Sequence, residues 1–404
     1  MNPGKVYILQ VGLLELAMTM MMTAAVVYRI DLAKLEPYQL ILLGTALEIS
    51  VILFEVPTGL VADLHSRKRS VVIGYFFIGI GFLIETSSLS FLWIFLAQIT
   101  WGFGYSFISG ALDAWVSDET RNEGIELTLV RASGLGRILA ILGVVFAFLL
   151  GRMDIRLPML MSAIVLFLLG FSLIFVMKEI VFLPQRTEEG HRLFAHFKRG
   201  LRHIYSHPLL KIFAVTVFLL GLFSEGIDRL EEFIILDRLR PSFLGELPSI
   251  HIVSGMHVIA QILGLIMLLI IGKTVKKKVY RWLIVLVLSM SFGLYVFALV
   301  GNPFLAVTGF FLFRMTREGT RPLHISILSR EVPGSIKATV MSTYGQIDSI
   351  GQIGSGILMT TIVMLMSPSR RSSFRQASCS SRHIRYGSCS ASGDGAKRSD
   401  RFLV

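Results

Sequence analysis

Long runs of apolar residues alternate with short polar segments along most of the chain. About twenty apolar residues in a helix cross the ~30 Å hydrocarbon core of a bilayer, and a helix satisfies its own backbone hydrogen bonds there. The pattern therefore predicts an all-α membrane protein. The predicted spans number eleven and lie at 6–27, 38–60, 70–88, 91–112, 133–151, 157–177, 210–230, 250–271, 281–300, 303–320 and 338–366.

The predicted spans form two groups, because six precede the longest polar connection and five follow it. We therefore expect an N-terminal six-helix bundle over 1–180, a cytoplasmic central loop over 181–208 and a C-terminal bundle over 209–366. The stretch 191–207 near this loop is basic and amphipathic, which is typical of a helix on a membrane surface. A simple linker between the bundles is the alternative.

The residues after the last span differ in composition from everything before them. Residues 367–404 are rich in Ser and Arg and contain both cysteines, Cys379 and Cys389. This composition is typical of disorder, and an odd number of spans would put the basic tail outside, against the positive-inside rule. We interpret the tail as a frameshift near Ser367 that replaces a twelfth span. A genuine exported tail is the alternative.

Composition and charge narrow the class of protein. Hydrophobic residues make up 53% of the chain and charged residues 16%, against roughly 25% charged residues in soluble domains. The formal net charge of +12 is not a sign of nucleic-acid binding, because the basic residues lie in short clusters between spans. These clusters are about threefold richer in Lys and Arg on one side, which predicts an inner-membrane protein with a cytoplasmic N-terminus.

The sequence indicates neither an enzyme nor a cofactor site. Its Gly-rich strings lack the phosphate-binding Lys motif of ATP-driven proteins. The nine histidines have no paired metal-ligand spacing. We expect no catalytic residue, metal or cofactor, and a monomer in the bilayer whose partners are a small molecule and protons.

A motif lies between the second and third spans. Gly59 is followed four residues later by Asp63 and then by a basic cluster, Arg67 to Arg69. Together with the two groups of spans over 1–366, this resembles the loop signature of the major facilitator superfamily. The segments 54–59 and 109–115 look like its drug-efflux branch, which is associated with tetracycline or macrolide export and hence with antibiotic resistance.

The resemblance implies two pseudo-related bundles that rock around one central site and drive proton-coupled efflux of drug-like molecules. Two departures bear on proton coupling. Gln98 stands where related transporters have an Arg, and the fifth span has glycines without the Pro of the antiporter signature. The alternatives are a facilitator or importer of a small metabolite, and a non-functional truncated transporter or a substrate-binding sensor.

The loop signature has a physical interpretation. Gly59 permits a close helix approach or a tight turn. Asp63 at a cytoplasmic helix end can pair with Arg67, Arg69 or a basic residue of another span. Such a pair would hold the cytoplasmic side closed until the bundles rock. An ordinary basic loop that only sets topology is the alternative.

Ionisable side chains within the spans are further candidates for the site, because each is costly in a bilayer and functional by default. In the resembled fold the first, fourth, seventh and tenth spans line the cavity, so Glu15, Glu225 and Arg314 are the leading candidates. We expect Glu225 and Asp228 at the outer end of the seventh span. The full candidate set for the proton and substrate cavity is Glu15, Glu48, Glu225, Asp228, Arg314 and Asp348.

Each candidate has a functional and a structural interpretation. A carboxylate at Glu15 or Asp348 could alternate between protonated and ionised forms as access switches, which is the chemistry of proton-for-drug exchange. A fixed ion pair with Arg314 is the alternative for Asp348.

Other polar residues are predicted to have structural roles. We expect Arg137 to extend to the interface from the cytoplasmic end of the fifth span. His257 and Gln261 are expected to be hydrogen-bonded packing residues, with polar contacts in the cavity as the alternative. Glu85 and Asp113 are expected near span ends, within reach of water.

Overall fold

The computed structural model describes residues 2–120, 125–181, 200–239, 247–274, 278–332 and 337–366. These residues are almost entirely helical and contain no strand, which confirms the all-α prediction. The predicted tail, 367–404, lies outside the described residues. Of the stretch 191–207, residues 200–206 are described as helical. The long helices are α1 Pro3–Val27, α2 Pro37–Leu64, α3 Arg67–Ser87, α4 Phe91–Ile108, α5 Ala111–Glu119, α6 Ile125–Gly151, α7 Arg156–Val176, α8 Pro208–Leu239, α9 Ser249–Thr274, α10 Val279–Leu299, α11 Pro303–Glu331 and α12 Lys337–Met366.

Ten segments among the described residues are long and apolar enough to cross a membrane. One of them combines α4 and α5, which are separated at Gly110, a residue with a φ of 74°. The tenth predicted span, α11, is a helix of 29 residues but is too polar to qualify by composition. It packs along α10, so the chain is a multi-pass membrane protein with about the predicted number of spans.

Three helices extend at least eight residues beyond their predicted spans, and two of these extensions change the position of residues singled out above. The fifth span begins at Ile125, the seventh ends at Leu239 and the tenth ends at Glu331. The predictions stopped at charged residues, which hydropathy assigns to water although other helices cover them here. Glu225 and Asp228 therefore lie in the middle of α8, and their predicted position at its outer end is wrong.

Polar residues and prolines begin several helices. The Asn2 side chain accepts a hydrogen bond from the Gly4 amide, and Asn302 accepts from the amides of Phe304 and Leu305. Such N-caps satisfy amides that have no partner within the helix. They fix where each span begins and hence which residues reach the centre of the protein.

The helices form two bundles with a similar internal joint. In the first, α1 packs on α6 and α3 on α4; in the second, α8 packs on α12 and α10 on α11. A Cβ at Gly74 would lie 2.6 Å from the carbonyl oxygen of Gly104, so only glycine allows this approach of α3 to α4. A Cβ at Gly293 would lie 2.8 Å from the carbonyl oxygen of Gly309, between α10 and α11.

The two bundles meet through α1, α2 and α6 on one side and α8, α9 and α12 on the other. The ring of Phe148 packs on His251, with centroids 4.9 Å apart, and Gly151 faces Ile250. These contacts lie where α1 ends, which we call the Arg29 end. The opposite end, where α2 ends, is the Asp63 end.

Candidate functional site

A cavity of about 1350 Å³ lies between the two bundles. Its lining begins near Arg29 and continues to Ser109 and Tyr344 towards the Asp63 end. Gly345 belongs to the lining, is exposed and has no atom within 4 Å of the position of an added Cβ. The cavity therefore opens at the Asp63 end, and the bundle contacts close it at the Arg29 end.

The wall formed by the first bundle is mainly apolar and contains two carboxylates. Glu48 and Glu55 lie on one face of α2 with Val51 between them, because residues three to four apart share a helix face. Within the described part of the chain, neither carboxylate makes an ion pair or hydrogen bond. The apolar and aromatic residues of this wall include Met18, Met22, Val26, Leu47, Val51, Trp101 and Tyr105.

The opposite wall contains four charged residues, Asp228 and Glu231 of α8 and Arg314 and Arg317 of α11, which we call the charged wall. Arg317 donates two hydrogen bonds to Asp228, one of them at 2.7 Å. The Arg314 Nη2 lies 2.7 Å from Glu231 Oε1, and its Nη1 lies 3.9 Å from Asp228 Oδ1. The guanidinium of Arg317 also lies over the rings of Phe223 and Phe313. Paired charges reduce the cost of placing them at membrane depth.

A further charged group lies where α2 of the first bundle meets α8 and α12 of the second. Arg229 donates to Glu225 at 2.8 Å, and Gln352 donates to Asp348 at 3.0 Å. The charge of Glu48 interacts with Glu225, Arg229 and Asp348. The Arg229 guanidinium thus lies near the carboxylates of Glu225 and Glu48, and Asp348 adds a further negative charge near Glu48, which makes this side of the cavity acidic.

Polar contacts cross between the bundles at the middle of the membrane. Arg137 of α6 donates to Gln261 of α9 at 2.5 Å and to Glu318 of α11 at 2.9 Å. Arg137 is three turns inside α6, so its predicted position near the interface is wrong. Gln261 is likewise more than a packing residue, since it joins the bundles.

His257 of α9 also joins the bundles; it is hydrogen-bonded as expected, and it lines the cavity, which was the alternative. Its Nδ1 lies 3.2 Å from the hydroxyl of Thr23 on α1. Its Nε2 lies 3.1 Å from Glu232 Oε1 on α8. The contact with Thr23 links the two bundles on the closed side of the cavity.

Most of the predicted cavity residues line the cavity, but two do not. Glu48, Asp228, Arg314 and Asp348 belong to its lining. Glu225 is buried beside it and reaches it through Arg229.

Glu15 does not belong to the described lining. It lies beside Gly136 of α6, near the charge of Arg137. The predicted alternative for Asp348 was an ion pair with Arg314. Among the described residues, the ion pairs of Arg314 are with Asp228 and Glu231 of α8.

The predicted gating loop makes its main contacts within the first bundle. Asp63 Oδ1 lies 3.9 Å from Arg67 Nε, and Arg67 also contacts Asp118 and the carbonyl of Ala114. The carboxylate of Glu179 accepts hydrogen bonds from the Ser66 hydroxyl and the Arg67 amide.

Two other residues of the loop signature have open surroundings in this conformation. Arg69 is exposed, and its amide donates to Ser66 Oγ. An added Cβ at Gly59 would meet no atom within 4 Å, so the close approach predicted there is not present.

A polar cluster inside the first bundle, which we call the Arg29 cluster, corrects the prediction for Glu85. Arg29 donates to Glu85 at 2.7 Å, Gln98 donates to Glu85 at 2.8 Å, and Trp101 donates to Gln98 at 3.0 Å. The Glu85 side chain is 0% exposed rather than in reach of water. Asp113 accepts a hydrogen bond from Tyr7 at 2.6 Å, which ties α5 to α1.

Sequence reasoning missed Glu231, Glu232 and Thr23. The first two were missed because the seventh span was ended at residue 230. A signal was available, since the segment that follows, 233–236, is apolar again and continues the helix. Thr23 carries no charge, and nothing in its local sequence distinguishes it from other hydroxyl residues in spans.

No group of three or more His, Cys, Asp or Glu side chains in the described ranges is arranged to hold a metal ion. What the geometry provides is a closed end, an open end and ionisable groups in between. That arrangement suits the passage of a solute between the two bundles.

Comparison with known proteins agrees with this description. The profile of the Major Facilitator Superfamily matches residues 8–356. A Bacillus subtilis (strain 168) protein described as the uncharacterized MFS-type transporter YxaM is 23% identical over 339 residues, which cover 80% of each chain. These matches indicate transport rather than catalysis.

Solved transporter structures have a similar fold. The nucleoside transporter NupG has a TM-score of 0.72 at 17% identity, covering 91% of this chain and 93% of its own. An inward-facing bacterial homologue of the human lysosomal transporter Spinster has a TM-score of 0.70 at 14% identity, covering 95% and 87%. At such identities the similarity concerns the fold, and it confirms the architecture that the loop motif implied.

Proposed function

The chain belongs to the Major Facilitator Superfamily, and on that premise we propose that it exports amphipathic, drug-like small molecules in exchange for protons. The cycle is alternating access, in which the bundles rock around the central cavity. Because basic residues concentrate at the Asp63 end, we place that end and the N-terminus in the cytoplasm of a bacterial cell. The described conformation is then the one open to the cytoplasm, and one copy of the chain forms the whole cavity.

The observation that carries this proposal is the pair of carboxylates, Glu48 and Glu55, in the apolar wall. Neither makes an ion pair or hydrogen bond with a described residue, and the Arg229 guanidinium acts on the charge of Glu48 only at longer range. A carboxylate that lines a cavity without a fixed partner can bind either a proton or a cation. A cationic solute and a proton would therefore compete for the same side chains, so that binding of one releases the other.

The same wall suits an amphipathic substrate. Met18 and Met22 are flexible and polarizable, and Trp101 and Tyr105 present aromatic surface to the cavity. Aromatic rings and a nearby carboxylate together attract organic cations. A positively charged drug with an apolar body would satisfy both kinds of group.

The proposal is tested in inside-out vesicles that contain the full chain and a pH-sensitive fluorescent dye. A tetracycline, a macrolide and an organic cation such as tetraphenylphosphonium are added after a pH gradient is formed. We expect at least one of them to collapse the gradient and accumulate. Glu48→Gln and Glu55→Gln should lower this exchange at least tenfold, the size of effect that loss of about 1.4 kcal/mol produces.

A matched control is Asp237→Asn, which removes an exposed carboxylate at the end of α8, outside the cavity lining. It should insert and exchange as the unmodified chain does. Exchange that is equally reduced in all three variants would contradict the assignment to Glu48 and Glu55. A chain that inserts but moves no compound would support the alternative of a non-functional truncated transporter.

The charged wall supports a second candidate, a facilitator or importer of a small polar metabolite. Asp228 can accept hydrogen bonds from such a solute, and Arg317 can donate hydrogen bonds to it. The structural relative NupG is described as a nucleoside transporter, so nucleosides belong in the panel. Uptake of a nucleoside without exchange of any drug would favour this candidate.

A further inference from the structure

A side pocket of about 250 Å³ lies beside the large cavity, where α1 and α6 of the first bundle face α9 and α11 of the second. Five side chains line both spaces, among them the flexible Met18 and Met22, so the two spaces adjoin. A pocket of this size holds one small ring with its substituent rather than a whole drug molecule. Two residues that line only the pocket, Thr19 of α1 and Gln261 of α9, have polar groups that the fold leaves unused.

The hydroxyl of Thr19 makes no hydrogen bond with a described residue. Other threonines in the spans, such as Thr45 and Thr308, donate to the carbonyl four residues earlier in their helix. Thr19 is partly buried, and its hydroxyl oxygen is not among the fully enclosed polar atoms. This hydroxyl is therefore available to a solute in the pocket.

The side-chain amide of Gln261 is held in one orientation. Arg137 Nη1 donates to Gln261 Oε1 at 2.5 Å, and because a guanidinium can only donate, the carbonyl side of the amide faces Arg137. The amide nitrogen carries two protons, makes no hydrogen bond within the described part of the chain and is not fully enclosed. The pocket therefore offers donors from the second bundle as well as a hydroxyl from the first.

Close packing within each bundle holds these two residues in place. A Cβ at Gly143 of α6 would lie 3.2 Å from the Cβ of Thr19, so α6 lies directly against α1 here. A Cβ at Gly264, one turn from Gln261, would lie 2.9 Å from Cγ of Glu318, so α9 lies directly against α11. Each polar group is positioned by its own bundle, and the pocket belongs to the boundary between them.

The ionisable side chains around the pocket already have partners. Glu318 accepts a hydrogen bond from Arg137, and Arg314 pairs with Glu231. Both ring nitrogens of His257 are also within hydrogen-bond distance of partners. The two carboxylates of the apolar wall differ in this respect, since they make no ion pair with a described residue. The pocket therefore suits an uncharged polar group, whereas the apolar wall suits a cation.

We propose that the side pocket is a second solute subsite, which binds an uncharged amide or ketone through the Gln261 amide nitrogen and the Thr19 hydroxyl. A carbonyl oxygen has two lone pairs, so it can accept from both groups at once. The inference rests on the proposed function and narrows its substrates to amphipathic cations that also carry such a carbonyl on a small ring. Because the two donors belong to different bundles, both bundles contact the bound group.

The test measures the binding of a fragment at equilibrium, so it does not depend on transport. The probe is 4-fluorobenzamide, followed by fluorine NMR with the full chain in detergent micelles, and empty micelles correct for partition into detergent. We expect saturable binding to the unmodified chain. Thr19→Val removes only the hydroxyl, and Gln261→Glu keeps an acceptor for Arg137 but loses the amide donors. Each should weaken binding about three- to tenfold.

Two matched variants and a second probe separate recognition from a general disturbance. Thr19→Ser keeps the hydroxyl and should bind 4-fluorobenzamide as the unmodified chain does. Gln346→Glu adds the same charge to the lining of the large cavity, outside the side pocket, and should leave this binding unchanged. The 4-fluorobenzamidinium ion has donors in place of the carbonyl oxygen, so it should bind Gln261→Glu more tightly than the unmodified chain. A misfolded variant would not gain affinity in this way.

The subsite is overturned if 4-fluorobenzamide does not bind the unmodified chain saturably, or if Thr19→Val and Gln261→Glu bind it equally well. A loss as large in Gln346→Glu would also overturn it. If binding depends on Thr19 and Gln261 while the vesicles exchange no drug, the proposed efflux fails and the subsite stands. If the vesicles exchange a drug while binding of the fragment ignores both residues, the proposed efflux stands and the subsite fails.

Discussion

The Arg29 cluster and the charged wall both place Arg–carboxylate pairs at membrane depth, but they differ in their surroundings. In the first, the side chains of Arg29 and Glu85 are 7% and 0% exposed, and both belong to one bundle. In the second, Arg317 and Asp228 are 26% and 34% exposed and face the cavity. The first pair is almost fully buried at the closed end of the cavity, whereas water and solutes can reach the second.

This difference indicates what each pair does. A pair buried in this way is shielded from competing solutes, so we expect it to hold the segment that follows α1 against α3 and α4 throughout the cycle. A pair at the cavity surface can be loosened by a solute or a proton, since competing partners reach it. Charge at membrane depth is therefore a sign of function only where the charge remains accessible.

The largest effect is expected from breaking the enclosed pair. Glu85→Ala leaves the buried Arg29 without its carboxylate, which should lower the free energy of unfolding by about 3–5 kcal/mol. Thermal unfolding in detergent measures this. The double variant Arg29→Leu with Glu85→Leu should recover much of the loss, because apolar replacement of both partners removes the unpaired charge; a double variant as unstable as Glu85→Ala would contradict the interpretation.

A smaller loss of stability is expected in the charged wall. Asp228→Asn weakens two charge-assisted hydrogen bonds to Arg317, but water partly screens the groups, so we expect about 1–2 kcal/mol. Transport should fall more than stability does. The comparison fails if Asp228→Asn destabilises the protein as much as Glu85→Ala.

The contact of Arg137 with Glu318 provides an intermediate case, since it joins the bundles rather than one bundle's helices. Arg137→Gln should destabilise the conformer with a closed Arg29 end by about 0.5–1 kcal/mol relative to the conformer in which that end is open. The ratio of the two conformers should then change roughly two- to fivefold. Distances between spin labels on the two bundles report this balance. Thermal stability within each bundle should change little, and an equal loss of stability and closure would argue against a gating role.

The smallest effect in this conformation is expected at the loop signature. Asp63 is 45% exposed and lies 3.9 Å from Arg67, so Asp63→Asn should change the free energy of unfolding by about 0–1 kcal/mol. Transport is the sharper measurement, because we propose that this loop meets the second bundle when the Asp63 end closes. Unchanged transport in Asp63→Asn would make the loop a determinant of topology only.

Much of the fold could be predicted from the sequence, because about twenty apolar residues in a bilayer have few alternatives to a helix. The errors occurred at polar residues. Glu231 and Arg137 were assigned to water or the interface, since hydropathy does not reveal that another helix covers them. Their partners lie far away in sequence, as with Arg137 and Glu318, so only the packing of helices brings them together.

The candidate site was predictable to a lesser degree. Glu48, Asp348 and Arg314 were selected as charges within spans, and they do line the cavity. Glu15 met the same criterion but faces α6, because a period of 3.6 residues gives no direction when the helix is apolar on all sides. His257 and Thr23 carry no permanent charge, and their importance follows only from the boundary between the bundles.

The paired glycines between α3 and α4, and between α10 and α11, have a mechanical consequence. Where backbone contacts backbone, no flexible side chain lies between the helices, so we expect each pair of helices to move as a rigid body. A solute that binds at Arg314 on α11 would then move α10 and α11 together. We therefore expect the movement to occur between the bundles, for example at the contact of α1 with α9, where Thr23 meets His257.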